Sequence, residues 1–172
     1  MGTRVKMAVA GLAMVLGAWV GDARAAQEDD GRIGGPELVK ILQDAGYRAS
    51  LETDSDGDPL VRTGMAGWNV VIHFYDCQQG RCGSLQFSTG IDLEHGTTMA
   101  VVNKFNTEYR YGRVHLDDEA DPFLVFDFEV LKTDHAHYVA SQVDTYEQLL
   151  GALSEALDAG DAPQPEATPA GS

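Results

Sequence analysis

Between Trp68 and Gly90 the chain alternates apolar and polar residues in two successive runs. Trp68, Val70, Ile72 and Phe74 share one side of the first run, and Leu85 and Phe87 share one side of the second. A period of two predicts a pair of strands. Setting Cys77 opposite Cys82, across the four residues between them, places Phe74 against Leu85 and Ile72 against Phe87 on one face. His73 then opposes Gln86 and Tyr75 opposes Ser84 on the other. A slip of one residue would mix the two faces, so the pattern supports this register.

The flanking segments extend the same sheet. Tyr47–Thr53 and Leu60–Met65 predict a hairpin around Asp54-Ser55-Asp56-Gly57-Asp58-Pro59, and Ala66-Gly67 turns the chain into the central strand. Pairing Thr53 with Pro59 and Met65 with Trp68 aligns Leu51, Val61, Ile72 and Phe87 as one buried row across four antiparallel strands. The three turn placements agree on one core face. Arg113–Leu116 and Phe123–Leu131 predict a last hairpin around an acidic loop, residues 117–122.

Three stretches follow the helical period instead. Pro36–Ala45 carries Leu38, Ile41, Leu42 and Ala45 on one stripe, with Pro36 suited to the first turn and Gly46 to the stop. Thr97–Tyr109 predicts a second helix with Met99, Val102, Phe105 and Tyr109 inside. Thr145–Ala159 predicts a third, with Asp144 and Glu147 at capping-box spacing and Gly160 at its end. The order α-β-β-β-β-α-β-β-α describes an α+β domain over residues 36–159, an antiparallel sheet with helices on one face. The opposite face mixes Val71, His73 and Tyr75 with Ser84, Gln86 and Ser88, and Val125 is expected to join them. It is a candidate binding face.

Residues 1–25 are read as a signal peptide rather than as fold. Arg4 and Lys6 precede an apolar run of 13 residues, Ala8–Val20, and Ala23-Arg24-Ala25 fits a cleavage site. The run is shorter than a membrane span; an uncleaved anchor is the other reading. Residues 26–35 are polar and acidic and predict a disordered leader; residues 160–172, rich in Pro and Ala, predict a disordered tail. The expected compartment is outside the cytoplasm, periplasmic or secreted, with no stable membrane insertion once the leader is removed.

Charge narrows the partners. The full chain carries −15, and removing a leader that contains Arg4, Lys6, Arg24 and Asp22 leaves nine basic against 26 acidic side chains, a charge of −17. Such a field repels nucleic acid and anionic lipid and favours solubility, cationic partners or divalent metals. A protein or peptide partner, or a second copy of the chain, remains open.

The candidate chemistry is thin. In an exported chain, Cys77 and Cys82 predict a disulfide across the hairpin, and their spacing is not that of a C-x-x-C redox motif. Asp54, Asp56 and Asp58 open like a calcium loop, but Pro59 stands where that loop needs glycine and Met65 where it needs a bidentate glutamate. They read better as a turn. His135 and His137, with Asp134, would supply two imidazoles to a transition metal, but two ligands are not a site, and a polar loop is expected. Ser84 and His73 share a face without a nucleophile elbow or oxyanion signature. Asn103 and Asn106, flanking Phe105, are expected to hydrogen-bond neighbouring loops. No catalytic residue and no cofactor are assigned.

Several motifs, taken in order, resemble the YbjN domain family: Asp56-Gly57-Asp58-Pro59-Leu60-Val61, residues 71–82, Ser84-Leu85-Gln86-Phe87, Asn103-Lys104-Phe105-Asn106 and residues 113–128. The resemblance covers residues 36–159 and departs at 133–141, where Asp134-His135-Ala136-His137 replaces a glycine-containing turn. It implies a fold like that of type III secretion chaperones and the label of putative sensory transduction regulator, with no catalytic residues to carry over. The combined expectation is an exported, non-enzymatic, chaperone-like binding module engaging its partner through Val71, His73, Tyr75 and Gln86. The alternatives are a divalent-metal-responsive sensor using the acidic loops, or a hydrolase or thiol-redox enzyme.

Overall fold

A computed structural model of the chain describes residues 31–160. The expectations of a signal peptide over residues 1–25, of a disordered leader over 26–30 and of a disordered tail from 161 onward fall on residues outside those described. The element order is β1 (Ile33–Gly34), α1 (Gly35–Asp44), β2 (Ala49–Thr53), β3 (Pro59–Met65), β4 (Trp68–Gln78), β5 (Arg81–Gly90), α2 (Met99–Glu108), β6 (Gly112–Leu116), β7 (Pro122–Glu129) and α3 (His135–Gly160). Seven strands form one antiparallel sheet in the order β2-β3-β4-β5-β7-β6, with β1 paired to β5. The fold class is therefore the expected α+β.

The central register is as the alternation dictates. Leu51 pairs with Val61, Val61 with Ile72, and Ile72 with Phe87; Phe74 pairs with Leu85 and Cys77 with Cys82. Gln78 also pairs with Arg81, so the loop between the cysteines tightens to Gln79-Gly80. Both loop residues have positive φ, 53° and 77°, as do Ala66 and Gly67 in the β3–β4 turn, 49° and 86°. Two left-handed residues give these hairpins the twist that matches their strands.

Inward-facing Val61, Ile72, Phe74, Leu85, Phe87 and Leu124 share one core with Leu38 and Leu42 of α1, Val102 and Phe105 of α2, and Tyr146 and Leu150 of α3. Phe87 sits at its centre, meeting Phe126, Phe128 and Tyr146 edge-on at centroid distances of 6.2, 5.2 and 5.3 Å. Helix α1 ends as its sequence foretells: Gly46 has φ 94°, its N–H donates to Gln43, and Tyr47 donates to the Leu42 carbonyl.

Five expectations are corrected. Ile33 and Gly34, assigned to the disordered leader, form β1 against Cys82 and Arg81, and Ile33 is fully buried. Helix α3 starts at His135, not Thr145. Asp134 Oδ1 accepts the Ala136 and His137 N–H groups, so Asp134 caps the helix, and Asp144 and Glu147 lie well inside it. Leu51 keeps its place in the row but is 45% exposed, because β2 is the outermost strand. Met99 and Tyr109 are exposed rather than inward, Tyr109 lying just past the end of α2. Val125 lies on the outer face between Ser88 and Arg113 yet is only 4% exposed.

Candidate functional site

The sheet face turned away from the core is built by alternate residues of β3, β4, β5 and β7. Along β4, Val71 and His73 are half-buried and Tyr75 is 46% exposed. The His73 and Tyr75 rings lie 6.5 Å apart. Across the ladder, His73 sits between Leu60 and Gln86, and Val71 between Arg62 and Ser88. All four residues expected to make a binding face thus share one surface.

Polar pairs border this stripe. Arg62 Nε reaches both carboxylate oxygens of Glu52, at 3.0 and 2.9 Å. Gln86 donates to Asp127 at 2.6 Å, and Arg113 pairs with the same carboxylate at 3.0 Å. Exposed pairs of this kind add little stability, but they fix where charge is presented. A second aromatic unit was not anticipated. Phe123 stacks on His115 at 5.5 Å and lies over Gly90, where an added Cβ would come within 2.7 Å of the ring. Alternation in β6 and β7 carried the signal, since Phe123 and Val125 share parity opposite Leu124 and Phe126.

The other candidates do not converge. His135 is buried and donates from Nδ1 to Glu37 at 2.7 Å, whereas His137, two residues on in the same helix, is exposed. Residues two apart on a helix face different ways, so the pair is not a metal clamp. Asp54 Oδ1 is occupied by the N–H groups of Asp56 and Asp58, which makes the segment an Asx turn. Among the described residues, no group of three or more His, Cys, Asp or Glu side chains is placed to hold a metal. No hydrogen bond joins Ser84 to His73 there. Asn106 closes the β6 edge: its Oδ1 accepts the Val114 N–H at 2.8 Å, and its Nδ2 donates to the Val114 carbonyl at 3.0 Å. Asn103 contributes its carbonyl to the Thr107 hydroxyl within α2.

Cys77 and Cys82 form a disulfide. Around it, Arg32 pairs with Asp76 at 2.8 Å and donates to the Asp76 carbonyl, while Arg81 pairs with Glu37 at 3.1 Å. The hairpin tip, β1 and the heads of α1 and α3 are thus tied into one polar junction. On the helical side, a groove of about 610 Å³ between α2 and α3 is floored by Phe105 and Tyr109, and one of about 390 Å³ lies between α1 and α3. No described helix is long and apolar enough to cross a membrane.

The described residues thus form an α+β domain with helices on one face of an antiparallel sheet and the other face open. Residues 37–161 match the model of the YbjN family, described as a putative bacterial sensory transduction regulator, and the chain belongs to that family. No individual curated protein matches it by sequence.

Proposed function

We propose that this YbjN-family chain is an exported, non-enzymatic regulatory module, chaperone-like in its manner of binding. It engages a protein or peptide partner through the sheet face around Val71, His73, Tyr75 and Gln86. The observation that carries the reading is Tyr75, an aromatic ring 46% exposed on the face of β4 turned away from the helices. It stands beside a second ring and among fixed charges, the mixture of aromatic anchor and polar rim that interfaces use. The strongly acidic leader-free chain selects a partner with basic surface. Export is supported by the basic, apolar and small-residue sequence of residues 1–25 and by the oxidised cysteine pair.

The test is site-specific photocrosslinking in periplasmic extract. A benzophenone side chain at position 75 is expected to capture a discrete partner, whereas the same group at Lys40 on the exposed side of α1 is not. Equal, unspecific capture at both positions would remove the sheet face from consideration.

A further inference from the structure

The two ends of the sheet are treated differently. At the β6 end, Asn106 fills the outward hydrogen-bonding positions of Val114 and so acts as a false strand. At the β2 end, no described strand lies beyond Ala49–Thr53. Open edges are blunted in monomeric proteins by Lys and other charges, Pro, a bulge or a covering group; β2 reads Ala-Ser-Leu-Glu-Thr, with no Lys, Pro or bulge, and its cover is a single contact from Gln43 to Ala49 at one end.

The outward groups of β2 can be identified. The Asp54 N–H donates to the Asp58 carbonyl, so Asp54 faces β3, and by alternation Glu52 and Ser50 do too. Ala49, Leu51 and Thr53 therefore turn their backbone groups away from the sheet. The Gln43 side chain reaches the Ala49 carbonyl from that side, which agrees. Leu51, in the middle, is also the exposed apolar side chain of the strand.

We infer that β2 pairs with β2 of a second copy of this chain, antiparallel about a two-fold axis at Leu51, joining two sheets into one. The register is self-complementary. Leu51 opposes the second copy's Leu51, and Ala49 opposes its Thr53, all at outward-bonding positions; the exposed Gln43 side chain gives up the Ala49 carbonyl to the Thr53 N–H of the second copy. The same register sets exposed Arg48 against Asp54 of the other copy, twice over. Extending the alternation of β2 by one residue at each end puts Arg48 and Asp54 on one side; neither takes part in an ion pair among the described residues, although Asp54 Oδ1 already accepts the Asp56 and Asp58 N–H groups. The net charge of −15 opposes association, but that long-range repulsion is screened beyond ~8 Å at physiological salt, whereas adjacent opposite charges are not. An isologous contact needs this kind of self-complementarity. The axis runs perpendicular to the sheet, so the dimer sets both Tyr75 faces side by side on one surface. The inference concerns an edge distinct from the face proposed for partner binding and does not depend on it.

Sedimentation velocity of the purified protein over a range of concentrations reads the equilibrium. Thr53→Pro removes an outward N–H without touching the β3 ladder, and Arg48→Glu sets like charges across the axis. Each is expected to weaken dimerisation by roughly tenfold or more. Under mild oxidation, Leu51→Cys is expected to cross-link copy to copy, whereas Ser50→Cys, whose side chain points to the other face, is not. If Thr53→Pro fails to fold, Arg48→Glu and the cross-link carry the test. A protein that stays monomeric at all concentrations would overturn the inference. So would a dimer that resists both β2 variants, or one dissolved by Tyr75→Ser instead.

Discussion

Glu37, in the first turn of α1, accepts a hydrogen bond from Nδ1 of His135 at the head of α3, 2.7 Å away and 98 residues later in the chain. The same side chain takes Arg81 from the β5 end of the disulfide hairpin at 3.1 Å. A carboxylate can only accept, so Nδ1 of His135 carries the proton. Nε2 of His135 is already buried without a partner. Glu37→Ala would leave both ring nitrogens unpaired in a buried site and is expected to cost about 1–3 kcal/mol. Urea denaturation of the variant and the parent protein checks it.

Tyr146 offers a pH test. Its hydroxyl is fully buried, donates to the Leu124 carbonyl at 3.1 Å and accepts from the Thr89 hydroxyl at 2.9 Å. Burial pushes it well above the usual tyrosine value of 10.0, against an opposing pull from the Thr89 hydrogen bond. A folded-state value raised above the unfolded one means the fold favours the protonated form. That stability is complete below about pH 10 and is lost as pH climbs through and beyond it. Tyr146→Phe should cost on the order of 1 kcal/mol at neutral pH. It should also flatten the loss of stability above pH 10 in alkaline denaturation followed by circular dichroism.

The sheet was legible because its signals are local and redundant. Tight turns at Ala66-Gly67 and Gln79-Gly80 fix the register, and apolar alternation confirms it on both sides of each turn. What failed depended on neighbours that sequence does not display. Leu51 has the right parity but no strand beyond it, so parity alone overstated its burial. Ile33 and Gly34 form too short a strand to show a period and are held by pairing to β5. The first turns of α3 were lost because His135 and His137 looked like loop or ligand residues. The helical stripe in fact runs on through His135, Val139 and Val143, and Asp134 was the cap to notice. At the candidate face, Val71, His73, Tyr75 and Gln86 followed from alternation. The His115–Phe123 stack did not, because the expected β6–β7 hairpin carried no register, and only the register sets His115 opposite Phe123.

Ile72→Asp is expected to abolish folding. Ile72 is fully buried between Val61 and Phe87 at the middle of the sheet. An unpaired carboxylate there costs several kcal/mol, comparable to the whole stability of a domain of this size. His73→Ala, one residue along and on the opposite face, should stay within ~1 kcal/mol of the parent. Thermal melts of the two variants distinguish the faces, and similar melting for Ile72→Asp and the parent would contradict the assignment.

The Cys77–Cys82 bridge closes a very short loop, and its chain-entropy contribution is about 2 kcal/mol. The double variant Cys77→Ser/Cys82→Ser should lose about that much in urea denaturation. Thiol labelling of the denatured, unreduced protein should find nothing to label. Intact mass of the same exported sample is expected to show a chain beginning near Ala26.

Tyr75 separates binding from folding. It pairs with Ser84 across the ladder on the side away from the helices, and its ring is about half in solvent. Removing the ring therefore takes nothing from the core, and Tyr75→Ser should melt close to the parent. If the outer face is the partner surface, the ring is its aromatic anchor, and its loss should weaken partner binding by on the order of 1–2 kcal/mol. Rising salt should weaken binding of the parent too, because the acidic chain steers a basic partner by charge. Arg62→Ala frees Glu52 from its ion pair at the border of the face and should strengthen binding slightly at low salt. Titration of the captured partner onto the three proteins, at low and moderate ionic strength, measures all of these together. A face that is only wetted by solvent predicts one affinity for Tyr75→Ser and the parent at every salt concentration, and that result would retire the partner surface while leaving the fold untouched.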